Sequence, residues 1–320
     1  MRGVMAVAAL LCMPVSEGLA QSYPSKPIRV IVGFAAGGGT DIASRAVAGP
    51  LSEALGQSIV VDNRPGAGGT IGNTLGAKAT ADGYTLLMTA NGPHVIAPSL
   101  YQSLTYDVFR DYAPISMVAT SPYVLLVHPA VGAHSVSELM VWLGKRSAPA
   151  KYSSAGQGTP AHLAGELFRA AAKTNLTHVP YKGAAPALTA LLGGEVEMMF
   201  CDMPVAAPHL KGGRVRALAV STPSRSALVP DLPTVSEAGV PGYEASSWYG
   251  LLAPAGTPDA VIKRLNVEIV RILDRKDIRD RFASLGSAAA SSTPREFSTL
   301  IRRDFERWAK VIKDAGIKLD

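Results

Sequence analysis

The sequence predicts an α/β fold with mostly parallel sheets flanked by helices. Three observations carry the prediction. From Ile28 onward, short apolar runs rich in β-branched residues alternate with amphipathic runs of helical period. Two of the strand-like runs end in a glycine loop that leads straight into a helix start. Setting aside a 20-residue leader leaves 300 residues, enough for one large core or two of moderate size.

The leader reading rests on residues 1–20, which carry Arg2, an apolar run over 4–15 and Gly18-Leu19-Ala20 at the end. That is the pattern of a secretory signal peptide, and the apolar run is too short to span a bilayer. Bulky Leu11 before Cys12 argues against lipoprotein processing. An exported chain then retains one cysteine, Cys201, so it has no internal disulfide and depends on its core. The net charge is +6 with a pI near 9.3, but only 18% of residues are charged. The basic residues of the C-terminal third interleave with acids at helical spacing, which reads as a solvated helix face and not as a nucleic-acid surface. A periplasmic location is expected.

In order, the chain predicts a strand from Ile28, a helix over 42–55, a strand over 58–62, a helix over 70–80 and a strand over 84–89. Strands follow over 115–119 and 123–128, then a helix over 136–145, a strand over 151–154, a helix over 159–173 and a strand over 177–181. Next come a helix over 184–192, a strand over 196–201, a short helix over 204–210 and a strand over 215–221. Residues 222–244 hold Pro223, Pro230, Pro233 and Pro241 among polar residues and read as a long irregular connection. A strand over 247–253 and two helices, 257–282 broken near Asp274 and 294–315, complete the chain. Pro258 and Pro294 stand where a first-turn proline is tolerated.

The chain is organised around Ile28-Arg-Val-Ile-Val-Gly-Phe-Ala-Ala-Gly-Gly-Gly-Thr-Asp41. A strand, three glycines and a helix N-terminus form a recipe for holding an anion: glycines let the backbone approach, and the first helical N–H groups have no internal partner. Lys151-Tyr-Ser-Ser-Ala-Gly-Gln-Gly-Thr-Pro-Ala-His162 repeats the logic about 120 residues later, with Thr159 as N-cap and Pro160 at the first helical position. If each unit belongs to its own domain, the two anion-holding turns face each other across a cleft.

Other chemistries fit poorly. Gly66-Ala-Gly-Gly-Thr-Ile-Gly72 is spaced GxGxxxG and follows Asn63-Arg-Pro65, the wrong spacing and context for a dinucleotide fingerprint. No GxSxG elbow exists; Ser153 and Ser154 lack the leading glycine, and nothing marks an acid to orient His162. The six histidines show no metal-ligand spacing. No cofactor, metal or catalytic residue is expected. Anion binding without chemistry remains. Four or five charge-assisted bonds at about 1.5–3 kcal/mol each, less the cost of association, would leave about −8 kcal/mol, a micromolar affinity.

The motifs resemble one family. The solute-binding receptors of tripartite tricarboxylate transporters, the Bug family, share Tyr23-Pro-Ser-Lys-Pro-Ile28, Phe34 with Gly-Gly-Gly-Thr-Asp41, Asp62-Asn-Arg-Pro-Gly-Ala-Gly-Gly69 and Ala81-Asp-Gly-Tyr-Thr-Leu86. Tyr152 with Gly156 and Gly158, His162-Leu-Ala-Gly-Glu166, Pro180-Tyr-Lys-Gly183, Phe200 to Asp202, Pro233-Thr-Val-Ser-Glu237 and Trp248-Tyr-Gly250 extend the likeness over the mature chain. The resemblance implies a two-domain Venus-flytrap fold, with domain one at 22–123 plus 246–320 and domain two at 124–245. It implies that a carboxylate sits between the two glycine loops, partly through bridging waters. Carried over by position, contacts come from Phe34, Ala36, Gly37, Gly38, Thr40 and Asp41 on one side, from Ser153, Ala155, Gly156, Thr159 and His162 on the other, with Asn91, Tyr181 and Asp202 nearby. Ala36 departs from the proline common in the family. The dipole alone favours an acid at Asp41, in the first helical turn. Lys182 reads as a solvated turn residue, and Cys201 as a small buried hydrophobe.

The expected function is that of a monomeric periplasmic receptor that closes on a small organic acid: a di- or tricarboxylate, an acidic amino acid or an aromatic acid. By resemblance its partners are the membrane permease subunits of a tripartite transporter. The rivals are a ligand-sensing receptor that docks on a regulator and an exported enzyme using the same cleft.

Overall fold

The computed structural model describes residues 23–314 apart from 211, together with 316–317. The leader read at 1–20 lies outside the described residues, as does the last residue of the helix expected over 294–315. Among the described residues, ten strands and nine α-helices are formed in the order β1 (Ile28–Val32), α1 (Gly39–Leu55), β2 (Ile59–Asn63), α2 (Thr70–Ala77), β3 (Thr85–Ala90), β4 (Tyr112–Val127), α3 (Val136–Gly144), β5 (Ala150–Ser154), α4 (Pro160–Ala171), β6 (Leu176–Pro180), α5 (Ala184–Leu192), β7 (Met198–Asp202), α6 (Met203–Ala206), β8 (Arg216–Val220), β9 (Ser246–Pro254), α7 (Asp259–Asp274), α8 (Lys276–Ser284), β10 (Ala288–Ala289) and α9 (Pro294–Asp314).

The strands form two sheets joined through β4. In the first, β2, β1 and β3 are parallel, β9 pairs antiparallel with β3, and β4 pairs antiparallel with β9 over its first two thirds. In the second, the last third of β4 lies between β7 and β8, both antiparallel to it, and β5 pairs parallel with β7 and β6. Parallel pairing therefore holds among the βα units, whose helices return the chain to the same end of the sheet. The strands that pass between the two halves pair antiparallel, so each sheet is mixed.

The crossing strand differs from expectation. The polar break at Thr120-Ser121-Pro122 predicts two strands, but β4 runs through it. Thr120 pairs with Trp248, Ser121 with Ser247 and Pro122 with Ser246, while Pro114 sits at a register shift. A proline inside a sheet is accommodated at such irregularities. Beyond the break, alternate residues serve different cores. Val124 and Leu126 join the cluster shared with α1 and α5, whereas Tyr123, Leu125 and Val127 join the cluster of α3 and α4. That alternation is the period of two of an extended strand.

Sequence signals set the helix ends. Gly56 closes α1 in the left-handed region. Ser135 accepts the N–H of Glu138 at the start of α3, and Thr159 accepts that of His162 at the start of α4. Arg275, in an extended conformation, separates α7 from α8. The connection over 222–244 carries a single isolated bridge, Val220 to Thr234. The two-residue strand β10 and a π-helical turn, Gly92–Ile96, have no signature in the sequence. Among the described residues no helix is long and apolar enough to cross a membrane.

Candidate functional site

Both glycine turns lie at the ends of their strands. After β1 the chain turns through Ala36 and Gly37, which are exposed, and enters α1 with Gly38 as N-cap. Gly37 takes φ +78°, a conformation that a glycine adopts without strain. Asp41 fastens the turn from inside. Its Oδ2 accepts the Gly37 N–H at 2.9 Å, and its carboxylate also accepts from Arg45 Nε and Asn63 Nδ2 at 3.0 Å each. Asn63 donates in addition to the Phe34 carbonyl at 2.9 Å. Burial by itself would raise the Asp41 carboxyl, but the bonds from Arg45, Gly37 and Asn63 outweigh it and hold the group below the ordinary carboxylate range.

The second turn is tied by its own side chains. Ser154 Oγ accepts the Gly156 N–H at 3.1 Å and lies 2.6 Å from His178 Nε2. Thr159 Oγ1 donates to the Gly156 carbonyl at 2.7 Å while capping α4. His162 Nδ1 accepts the Gly158 N–H at 3.1 Å, and its ring stacks on His178 with centroids 4.0 Å apart. Burial, and then the neighbouring His162, push His178 down to about 3.

One small cavity lies between the turns. Its wall includes Phe34, Gly38, Gly39, Thr40 and Ala90 from the first half, and Ala155, Thr159, Pro160, Ala161, Ala184 and Asp202 from the second, with Tyr123, Ser247 and Tyr249 from the crossing strands. Its volume is about 20 Å³, room for roughly one water. Of the residues singled out in the sequence, Phe34, Gly38, Thr40, Ala155, Thr159 and Asp202 line it. The others surround it. Ala36 and Gly37 are at the outer tip of the loop, and Asp41 is spent behind it. Ser153 Oγ donates to the Ala187 carbonyl at 3.1 Å within the second half. Asn91 donates to the Ser246 carbonyl at 2.9 Å and accepts from Ser247 Oγ at 3.1 Å, bracing β9. Gly156 and His162 shape the second turn. The Tyr181 hydroxyl donates outward to Glu195 at 3.2 Å. Lys182 is exposed, and Cys201 is buried in the core with its thiol pushed well above the ordinary value by burial.

Asp202 ends β7 opposite Tyr123 of β4. Its Oδ1 accepts the Tyr249 hydroxyl at 3.1 Å, and Tyr123 also hydrogen-bonds to it. Burial lifts its carboxyl to about 6, against the lowering effect of both tyrosines. The tyrosines and Ser247 escaped the reading of site residues because they stand on the crossing strands β4 and β9 and not at glycine turns. Tyr249 lies within the quoted Trp248-Tyr-Gly250 motif, which alone pointed to it.

The cavity's rim is closed by glycines. A Cβ on Gly68 would overlap the Gln157 carbonyl, one on Gly92 would overlap Pro160, one on Gly156 would come within 3.2 Å of Gly68 Cα, and one on Gly183 within 3.1 Å of Ala35 Cβ. Tyr101 bridges the rim, its hydroxyl donating to the Gln157 carbonyl at 3.2 Å.

Residues 43–317 match the family model described as the tripartite tricarboxylate transporter family receptor. BugT of Bordetella pertussis is 38% identical over 99% of this chain and 97% of its own length. The chain belongs to the tripartite tricarboxylate transporter receptors. Solved receptors superpose closely on it. An R. palustris protein with adipate has a TM-score of 0.91 at 35% identity, covering 92% of this chain and 99% of its own. MatC from Rhodopseudomonas palustris with bound malate has a TM-score of 0.86 at 33% identity, covering 91% and 100%. The receptor has the two-domain periplasmic-binding-protein fold, and its family consists of solute-binding proteins.

Proposed function

We propose that this receptor captures a small carboxylate-bearing solute in the periplasm and delivers it unchanged to the permease subunits of a tripartite transporter. The observation that carries the reading is the convergence of the α1 and α4 N-terminal turns, one from each sheet, on a single cavity. The first N–H groups of α1 and the Thr40 hydroxyl suit a carboxylate, while the Thr159 hydroxyl gives its proton to the Gly156 carbonyl and shapes the opposite wall. The adipate and malate complexes of its relatives support the same solute class.

A cavity of about 20 Å³ cannot admit such a molecule, so entry requires the halves to part. We assign the boundaries accordingly, with 22–123 and 246–320 as one domain and 124–245 as the other. The hinge then lies where β4 and the chain before β9 pass between the sheets. The contacts carried over by resemblance stay within this proposal. Thr40, Ala155, Thr159 and Asp202 are the ones we expect to touch solute, and Asp41, Ser153, Asn91 and Tyr181 to hold the frame around them.

A thermal-shift screen of di- and tricarboxylates, acidic amino acids and aromatic acids tests the reading. A solute at about 100 times its Kd should stabilise the fold by about 2.7 kcal/mol, a rise of roughly 4–8 °C. A binding acid recovered chemically unchanged after prolonged incubation fits a receptor; turnover would make the protein an enzyme. A screen in which no acid raises the melting temperature would withdraw the proposal.

A further inference from the structure

The cleft carries a charge conflict. Among the described residues, the cavity wall holds one carboxyl, Asp202, and no lysine, arginine or histidine. A solute carboxylate drawn to the N-terminus of α1 arrives beside that acid, because a Cβ on Gly39, the first residue of α1, would lie 3.1 Å from Asp202 Cγ. Two carboxylates this close cannot both stay ionised without a large penalty.

The groups packed around Asp202 supply no cation to relieve it. Tyr249 from β9 and Tyr123 from β4 give it neutral hydroxyls. The adjacent Cys201 thiol is buried in the core. Asp41 on α1 is another acid, and Arg45 is already paired with it. A carboxylate accepts at about four lone-pair positions, so two tyrosine bonds leave capacity toward the cavity.

We propose that Asp202 is the specificity-determining acceptor of the pocket: the receptor selects carboxylates that also present an O–H or N–H donor to it. The donor is an α-hydroxyl, an α-ammonium or, in a plain acid, a protonated carboxyl. The inference rests on the carboxylate-capture reading and narrows its solute class. Its consequence is a difference in pH dependence. A hydroxy acid brings its donor with it at any pH, whereas a plain acid must carry a proton into the site and binds better as pH falls. The raised Asp202 carboxyl, near 6, agrees with this, since it too takes up a proton readily in that range.

The test is calorimetric titration of three probe pairs, lactate with propionate, malate with succinate and mandelate with phenylacetate, at about pH 7.5 and about pH 5.5. The wild-type protein and Asp202→Asn are compared, each first checked for a cooperative melt. In the pair that fits the pocket, wild type should bind the hydroxy acid at least about tenfold more tightly at the higher pH, and the plain acid should gain affinity at the lower. Asparagine can donate as well as accept, so Asp202→Asn should bring the pair to within about twofold at both pH values. Equal binding within the pair in wild type, or an undiminished preference in Asp202→Asn, overturns this inference and leaves carboxylate capture standing. No heat from any probe with either protein, together with a thermal screen in which no acid raises the melting temperature, overturns both.

Discussion

At the scale of single residues, the buried ionisable groups divide by the sign of their effect on stability. His94 is fully buried beside Tyr112 and Trp248, and burial pushes it down to about 3. The unfolded chain takes up a proton on it below about pH 6.5 and the folded chain does not, so its contribution is full above that pH and is lost as pH falls toward 3. The slope is about 1.4 kcal/mol per pH unit. His94→Asn should flatten that part of the acid limb in urea melts recorded between about pH 6 and 4. Asp202 has the opposite sign. Its folded value, near 6, lies above the unfolded one, so the protein is most stable with the group protonated and loses stability as pH rises through about 6. Asp202→Asn should therefore raise the unfolding free energy from urea melts at pH 7.5 by on the order of 2 kcal/mol, with little gain at pH 4. Asp41 is a third case, a first-turn acid whose carboxylate is consumed by Gly37, Arg45 and Asn63. Asp41→Ala frees the glycine loop and should cost about 2 kcal/mol in stability as well as affinity, both measurable on one preparation. The sequence marked Asp41 and the dipole that favours it, but could not reveal Asn63, 22 residues away, as its partner.

At the scale of elements, closure depends on side chains that are absent. Gly92, in the π-helical turn, approaches Pro160 at the start of α4 so closely that a methyl group would overlap the ring. No positive φ is required there, so alanine would strain the closed form and not the turn itself. Gly92→Ala is expected to fold normally and to bind its solute at least about tenfold more weakly. Gly49→Ala is the control: it lies in α1 with nothing within 4 Å of its Cβ position, so it should add up to about 1 kcal/mol of stability and leave affinity unchanged. If both variants bind like wild type, the rim glycines have no part in closure. The two βα units were legible because their chemistry is local: a β-branched run, glycines, a capping residue and a first-turn proline. The long β4 was not, since Thr120-Ser121-Pro122 has poor strand character of its own and is held extended by pairing with Trp248, Ser247 and Ser246.

At the scale of the whole molecule, the receptor is two mixed sheets that share β4, with Gly68 set close against Gly156 and Gln157 across the rim. Solute binding should be a change of shape as much as of occupancy. Small-angle scattering should give a larger radius of gyration without solute than with a saturating acid found in the thermal screen, and an unchanged radius would rule out hinge closure. The sequence by itself determined the alternation of elements, the two strand–glycine–helix turns, the burial of Cys201 and, through ordered motifs, the family. These are properties of short segments, where periodicity, capping and backbone freedom act within a few residues. Only the tertiary structure decided which of the named residues share a wall. Thr40, Thr159 and Asp202 come from separate strand ends and meet through sheet register, while Ser153, Asn91 and Tyr181 are turned to other partners. It alone brought Tyr123 and Tyr249 to Asp202, because hydrogen bonding across a sheet joins residues that no local pattern links. The glycine stretch at Ile28–Asp41 thus announces a strand, a turn and a helix N-terminus on its own, but the acid that faces it from β7 is a consequence of how the chain folds back.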